Sequence, residues 1–267
     1  MSNKTKIVLV IVLIILLVLI IRSCFTSEKE VEVSSDSFDH LPAVSSGPFN
    51  YLPDVSSGEI IYHSYYTLAY SEGSEQASWV AYKITTDNFN SSIKRKDAFR
   101  IDPQVSTVSA ELSDYRKSGY DRGHLAPAGS MKINATSMSE SFFMSNMSPQ
   151  LAGFNRGVWK KLEGEVRSIA RNSDSVFVVT GPVLDDPIEF IGKNKVAVPK
   201  AYFKTLVSYR NGIPSGIAFV LPHEKSSASV YSFSTSINKV EEITGIDFYF
   251  NLQNQSDFES TNSLNGY

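Results

Sequence analysis

Between Glu59 and Leu252 the apolar residues recur in short aromatic and β-branched runs that break at Gly, Pro or Asn. "EIIYHSYYTLAYS", "ASWVAYKIT", "SVFVVTGPVL", "KVAVPKAYFKTLVSYR" and "SGIAFVLP" all have this character and read as strands. Only "NRGVWKKLEGEVRSIARNSD" keeps a clear helical period, with Val158, Trp159, Leu162, Val166, Ile169 and Ala170 on one face and charge on the other. Many strands, few helices and no regular βαβ alternation predict an α+β domain on a mostly antiparallel sheet. A length of 267 residues suits one large domain or two small ones.

The segments outside this region are of another kind. Residues 1–24 contain fifteen consecutive aliphatic residues, Ile7 to Ile21, with Lys4 and Lys6 before them and Arg22 after. At about 1.5 Å per residue the run reaches about 22 Å against a bilayer core of about 30 Å, a gap that thinning and snorkelling cations can cover. A signal peptide has a similar apolar part, but no small-x-small cleavage site follows. Ser23-Cys24 hints at lipid attachment, yet Arg22 stands where such a site wants a small residue. The run is therefore expected to be an N-terminal transmembrane helix that anchors the chain. The flanking charges predict a cytoplasmic N-terminus, with the rest on the periplasmic or extracellular side. Residues 25–58 are Ser-, Pro- and acid-rich and are expected to be a flexible spacer. That leaves 59–253 as the folded domain and 254–267 as a polar, frayed tail. Cys24 is the sole cysteine, so an intramolecular disulfide and a multi-thiolate metal site are excluded.

Charge is unevenly spread. Lys94 to Arg171 carries thirteen Lys or Arg against eight Asp or Glu, in a chain whose formal net charge is −3. A basic middle inside an acidic protein fits a polyanion-binding face, and equally a solvated charged surface.

The basic region contains "SGYDRGHLAPAG", Ser118 to Gly129. Phosphodiester hydrolysis needs a base for water and cations for the charge on phosphorus. His124, with an ordinary pKa near 6.5, can be a neutral base. Arg122 supplies a rigid fork for phosphate, and Gly123 is expected to let the backbone bend so that both face one site. The same residues also fit an Asp121–Arg122 structural ion pair beside a core histidine. Further on, "FFMSNMSPQLAGFNRGVWKKLE" places Asn146, Gln150, Asn155 and Glu163 around the entry to the helix.

Together, "YDRGHLAPAGSM", "SNMSPQ" and "FNRGVWKKLE" resemble the DNA/RNA non-specific endonucleases, the DRGH family that includes endonuclease G. The resemblance covers about Tyr62 to Leu252. It implies a ββα-metal (His-Me finger) core, an endonuclease acting on DNA and RNA, and Mg²⁺ as cofactor, with Mn²⁺ a substitute. By the same resemblance His124 matches the general base and Asn155 the direct metal ligand, in keeping with a cation that retains its waters. Glu163 matches a carboxylate that holds a water of the ion's shell. Eight residues after Asn155 on one helix, it is rotated by only about 80°. Arg122 matches a phosphate-binding arginine. A second such arginine is expected in "KRKDAFRIDP", either Arg95 or Arg100, with Arg95 favoured because Arg100 follows Phe99. Asn146 and Gln150 are expected to shape the site, and Asn155 to cap the helix as well as bind metal.

The other histidines read as structural: His40 in the spacer, His223 in a turn, His63 in an aromatic strand. Trp79 and Trp159 read as core. The rival function is a catalytically weak surface protein that captures DNA, whose mark would be a missing His or Asn. A third, a phosphodiesterase for small nucleotides, needs a closed pocket. The sequence is compatible with a homodimer and names no protein inhibitor.

Overall fold

The structure, a computed structural model, describes residues 51–54, 58–90, 92–252, 255–262 and 264. The anchor expected at 1–24 and most of the spacer lie outside the described residues. Among the described residues no helix is long and apolar enough to cross a membrane.

The predicted strands form a seven-stranded antiparallel sheet. Its members are β1 (Glu59–Tyr62), β2 (Thr67–Ser71), β3 (Gln76–Ile84), β6 (Ser175–Val183), β9 (Ala201–Arg210), β10 (Ile213–Pro222) and β11 (Ser234–Thr235), in the order β1-β2-β3-β6-β9-β10-β11. Two smaller antiparallel pairs lie outside it. One joins β4 (Tyr120–His124) to β5 (Met147–Leu151), and the other joins β7 (Glu189–Ile191) to β8 (Val196–Val198). Five α-helices are described: α1 (Leu112–Tyr115), α2 (Ala135–Glu140), α3 (Lys160–Arg171), α4 (Ile237–Thr244) and α5 (Ser256–Glu259).

Successive side chains of the central strands go to opposite faces. One face carries Val80, Tyr82, Val178, Tyr202 and Leu206 into a core shared with Val158, Trp159, Leu162, Val166 and Ile169. The other carries Trp79, Phe177, Val179, Phe203 and Val207 into a core shared with Ile237, Val240, Phe248 and Leu252. Burial on both faces explains why these strands read as apolar runs rather than a clean alternation of polar and apolar. Both tryptophans are core residues.

Three boundaries differ from the sequence reading. The spacer ends before residue 58, because Tyr51 is buried with its ring 4.8 Å from that of Phe177. Nor are the described residues of the C-terminal segment a frayed tail. Phe258 is buried among the residues of the second core, and Thr261 Oγ1 donates to Gly216 O at 2.7 Å. One aromatic ring anchors a segment whose average composition is polar. Finally, α3 starts at Lys160 rather than near Asn155, which lies in a preceding π-helical turn, Phe154–Trp159. Gly157 leaves helical geometry there (φ −103°, ψ −112°), so Asn155 and Glu163 do not share one continuous helix, and Asn155 does not cap α3.

Phe258→Ala should lower the unfolding free energy by about 3–5 kcal/mol, read from the urea midpoint. An unchanged midpoint would show that this segment contributes no packing.

Candidate active site

Strand β4 presents the "YDRGH" segment, and its register with β5 puts Asp121 opposite Gln150 and His124 opposite Met147. At Gly123 the requirement is close approach rather than bending. Its backbone is in an extended strand, and a Cβ there would lie 2.1 Å from Gln150 Cδ. The amide of Gln150 is buried, with neither its nitrogen nor its oxygen hydrogen-bonded. Asn146 secures the chain just beyond His124. Its Oδ1 accepts from Ala126 N at 2.8 Å, and its Nδ2 donates to Ala126 O and Ser141 O, both at 2.9 Å. Trp159 Nε1 donates to His124 O at 3.4 Å, so the core tryptophan of the π-turn also holds this strand.

The imidazole of His124 is held edge-on by Phe142 at 4.9 Å between ring centroids, with Phe99 at 5.8 Å. Its Nε2 is buried and has no hydrogen-bond partner. Burial first, then the positive charges of Arg95 and Arg122, push its pKa from 6.5 down to about 3. A neutral ring with a free lone pair results.

His124 opens onto a groove of about 500 Å³, whose lining includes five cationic side chains, Arg95, Arg122, Arg156, Lys160 and Arg167, around one carboxylate, Glu163. Asn155 lines it too. Asp121 ties the groove together: it accepts from Asn155 Nδ2 at 3.0 Å, from Arg156 Nε at 2.8 Å and from Arg156 Nη2 at 2.6 Å. Burial alone would raise the pKa of Asp121, but these hydrogen bonds outweigh it and hold the carboxyl below its ordinary range. The Asp121–Arg122 ion pair considered from sequence is thus replaced by Asp121–Arg156. Arg122 instead lies over the Phe99 ring at 4.2 Å, and Arg95 over Phe142 at 5.2 Å.

Arg100 is not in the groove. Its guanidinium donates to Ala98 O, Ser139 O and Ser139 Oγ and lies 3.9 Å from the Phe143 centroid, so its donors serve the fold. Between the two candidates of "KRKDAFRIDP", the groove contains Arg95. Arg167, which the sequence reading passed over, lies against Gly129, where a Cβ would sit 3.1 Å from Nη1. Its position four residues after Glu163 on α3 was a usable signal, since that spacing shares a helix face.

His63 Nε2 lies 2.8 Å from Asp102 Oδ2, buried and away from the groove. His223 lies in a bend just after β10, in keeping with the structural turn residue read from sequence. It is buried, accepts from Leu151 N through Nε2 at 2.7 Å, and donates through Nδ1 to Pro199 O at 2.9 Å. It therefore pins the end of β5, a role that its "LPHEK" context concealed.

Asn155 and Glu163 also decide whether a metal fits. Among the described residues no group of three or more His, Cys, Asp or Glu could cage an ion. Asn155 offers a side-chain oxygen whose amide nitrogen is already committed to Asp121, beside the half-buried Glu163. A hard cation that keeps most of its waters suits that sparse oxygen set.

The family model for DNA/RNA non-specific endonucleases matches residues 48–255. The chain belongs to the DNA/RNA non-specific endonuclease family. Nuclease C1 of Cunninghamella echinulata var. echinulata is 32% identical over 209 residues, covering 70% of this chain and 81% of that protein. Human mitochondrial endonuclease G is 31% identical over 202 residues, 70% of this chain and 68% of that one. Human mitochondrial nuclease EXOG is 30% identical over 217 residues, with 74% of this chain but only 59% of EXOG covered. In three dimensions the chain is similar to a solved chain of the EndoG/EndoGI complex, with TM-score 0.73, 30% identity, and 78% of this chain and 92% of that chain covered.

Because burial and neighbouring cations disfavour the imidazolium, protonating His124 takes more acid than an ordinary histidine requires. A proton NMR titration of the metal-free protein, assigned with His124→Ala, should show no inflection for His124 from about pH 7 down to about pH 5. An inflection near the ordinary value would contradict the desolvated site.

Proposed function

We propose that this endonuclease-family chain hydrolyses phosphodiester bonds of DNA and RNA with little sequence preference, using His124 as general base and one Mg²⁺, or Mn²⁺ in its place, held by Asn155. The observation that carries the reading is that His124, whose Nε2 has no hydrogen-bond partner, lines a cation-rich groove together with Asn155 and Glu163. His124 accepts a proton from the attacking water, for which its neutral form is required. Arg122, Arg95 and Arg167 hold the phosphate through rigid guanidinium forks. Asn155 presents its oxygen to the cation, and Asp121 keeps that amide from rotating. Glu163 orients water in the groove as a hydrogen-bond acceptor. Asn155, with Glu163 beside it, would hold a divalent cation, which when bound would supply charge neutralisation for the phosphoryl group and the departing 3′ oxygen. Cations that grip phosphate without reaching base edges bind most sequences alike. A DNA-capture protein without catalysis would not need a base and a metal-binding amide in the same groove.

Incubated with plasmid or RNA, the wild-type protein should cleave both with Mg²⁺ and neither with chelator. His124→Ala, correctly folded, should lose about 10²- to 10⁴-fold in rate on both substrates. Cleavage in chelator, or near-wild-type turnover by the variant, would refute this chemistry.

Asn155→Ala should move the Mg²⁺ activation curve to higher concentration, with part of the rate regained at saturation. A curve that stays put would place the metal elsewhere.

For location, we propose that Ile7–Ile21 is a retained membrane anchor with the nuclease domain outside the cytoplasm. The support is the charge order, Lys4 and Lys6 before the aliphatic run and acidic residues after it. Protease added to intact spheroplasts should release an active soluble fragment and leave the N-terminal piece with the membrane. Full protection of the domain would reverse this topology.

A further inference from the structure

Lys204 occupies a position where the fold calls for an apolar residue. On β9 it alternates with Tyr202 and Leu206, on the face that packs against the π-turn and α3. Its side chain is fully buried. The ammonium donates to Thr180 Oγ1 at 2.9 Å, across the β6–β9 register, and sits 4.6 Å from the Trp159 ring centroid. Among the described residues no carboxylate lies within ion-pair distance of it, and the group it donates to is a neutral hydroxyl. A buried ammonium is costly unless a countercharge offsets its desolvation.

Glu163 is the carboxylate placed to do so. It follows Trp159 by four residues, one turn along α3, which puts it on the flank of the helix that Lys204 approaches. Of the cations acting on Glu163, Lys204 acts most strongly, ahead of Arg167, Arg95 and Lys160. Burial raises the pKa of Glu163 and lowers that of Lys204, and each charge opposes the shift of the other. A lysine whose only task was to bond Thr180 would be an expensive way to fill an apolar position. Methionine has nearly the same shape without the charge.

We propose that Lys204 is a positioning residue: a buried ammonium beneath the groove that supplies the countercharge for Glu163 and fixes where that carboxylate stands. This rests on the proposed function, in which Glu163 orients water. Lys204 itself touches neither substrate nor metal.

A double-mutant cycle with Lys204→Met and Glu163→Gln tests it in two readouts. In the first, kcat and KM are measured on a DNA duplex with saturating Mg²⁺. Lys204→Met should lower kcat about 10- to 100-fold with KM little changed, and should lower it no further in the Glu163→Gln background. In the second, thermal unfolding is followed without metal or nucleic acid. Glu163→Gln should lower Tm by leaving the ammonium uncompensated, and adding Lys204→Met should restore it. Wild-type kcat in folded Lys204→Met, multiplying losses in the double variant, or additive Tm changes would each overturn the proposal. If Lys204→Met does not fold, Thr180→Val keeps the ammonium and removes its acceptor. It should lower kcat only when Glu163 is present, and an equal loss in both backgrounds would overturn the proposal. An inactive wild-type protein would refute the proposed function, while the Tm cycle would still read the coupling.

Discussion

The carboxylate of Asp121 accepts hydrogen bonds from Asn155 and Arg156 and thereby fixes the strand carrying His124 against the turn carrying the groove's amide oxygen. The proposed base, His124, and the proposed metal ligand, Asn155, lie on different elements, thirty-one positions apart in sequence. Without that bridge their spacing would depend on packing around Trp159 alone. The bond also settles which end of the Asn155 amide is free. With Nδ2 donating to a carboxylate, the oxygen is left for a cation. The Asp121 position in the strand thus does more than pair charge.

Around this bridge the molecule places charged groups in desolvated surroundings. The sheet and α3 supply a dry floor, and Phe99 and Phe142 supply a dry wall beside His124. Dryness disfavours imidazolium at His124, which keeps its lone pair free. The same dryness works against ionised Glu163. Opposing demands from two groups in one groove are met by distributing cations unevenly, with several exposed arginines at the rim and one ammonium inside the core. Exposed cations at the rim are screened by solvent, whereas a buried one acts on its neighbour at low dielectric.

How much of this was legible in the sequence depended on what each residue's position had to advertise. The runs that became β3, β6, β9 and β10 were visible because burial on both faces demands apolar, β-branched side chains throughout. The groove residues His124, Arg122, Asn155 and Glu163 were legible through motif spacing, since their chemistry is local to two segments. The choice between Arg95 and Arg100 was left open, with Arg95 favoured, because composition cannot tell a guanidinium facing a groove from one bonded to Ser139. Gly123 misled in mechanism: its reason is the side chain of Gln150, which lies diagonally across from it on the paired strand, a contact only the three-dimensional packing reveals. Lys204 and His223 were hidden for a related reason. The partner of each, Thr180 for Lys204 and Leu151 for His223, is brought to it by sheet pairing or tertiary packing across a long stretch of sequence. Phe258 was lost in the average polarity of its neighbours.

In the proposed mechanism a single amide oxygen, aimed by Asp121, is the protein's direct hold on the metal. A crystal soaked in Mn²⁺ and measured at the manganese absorption edge locates the ion without any assumption about activity. One anomalous peak is expected in the groove beside Asn155 Oδ1, with water completing the coordination and no other protein atom bound. A peak bound by carboxylates, or one remote from Asn155, would contradict it.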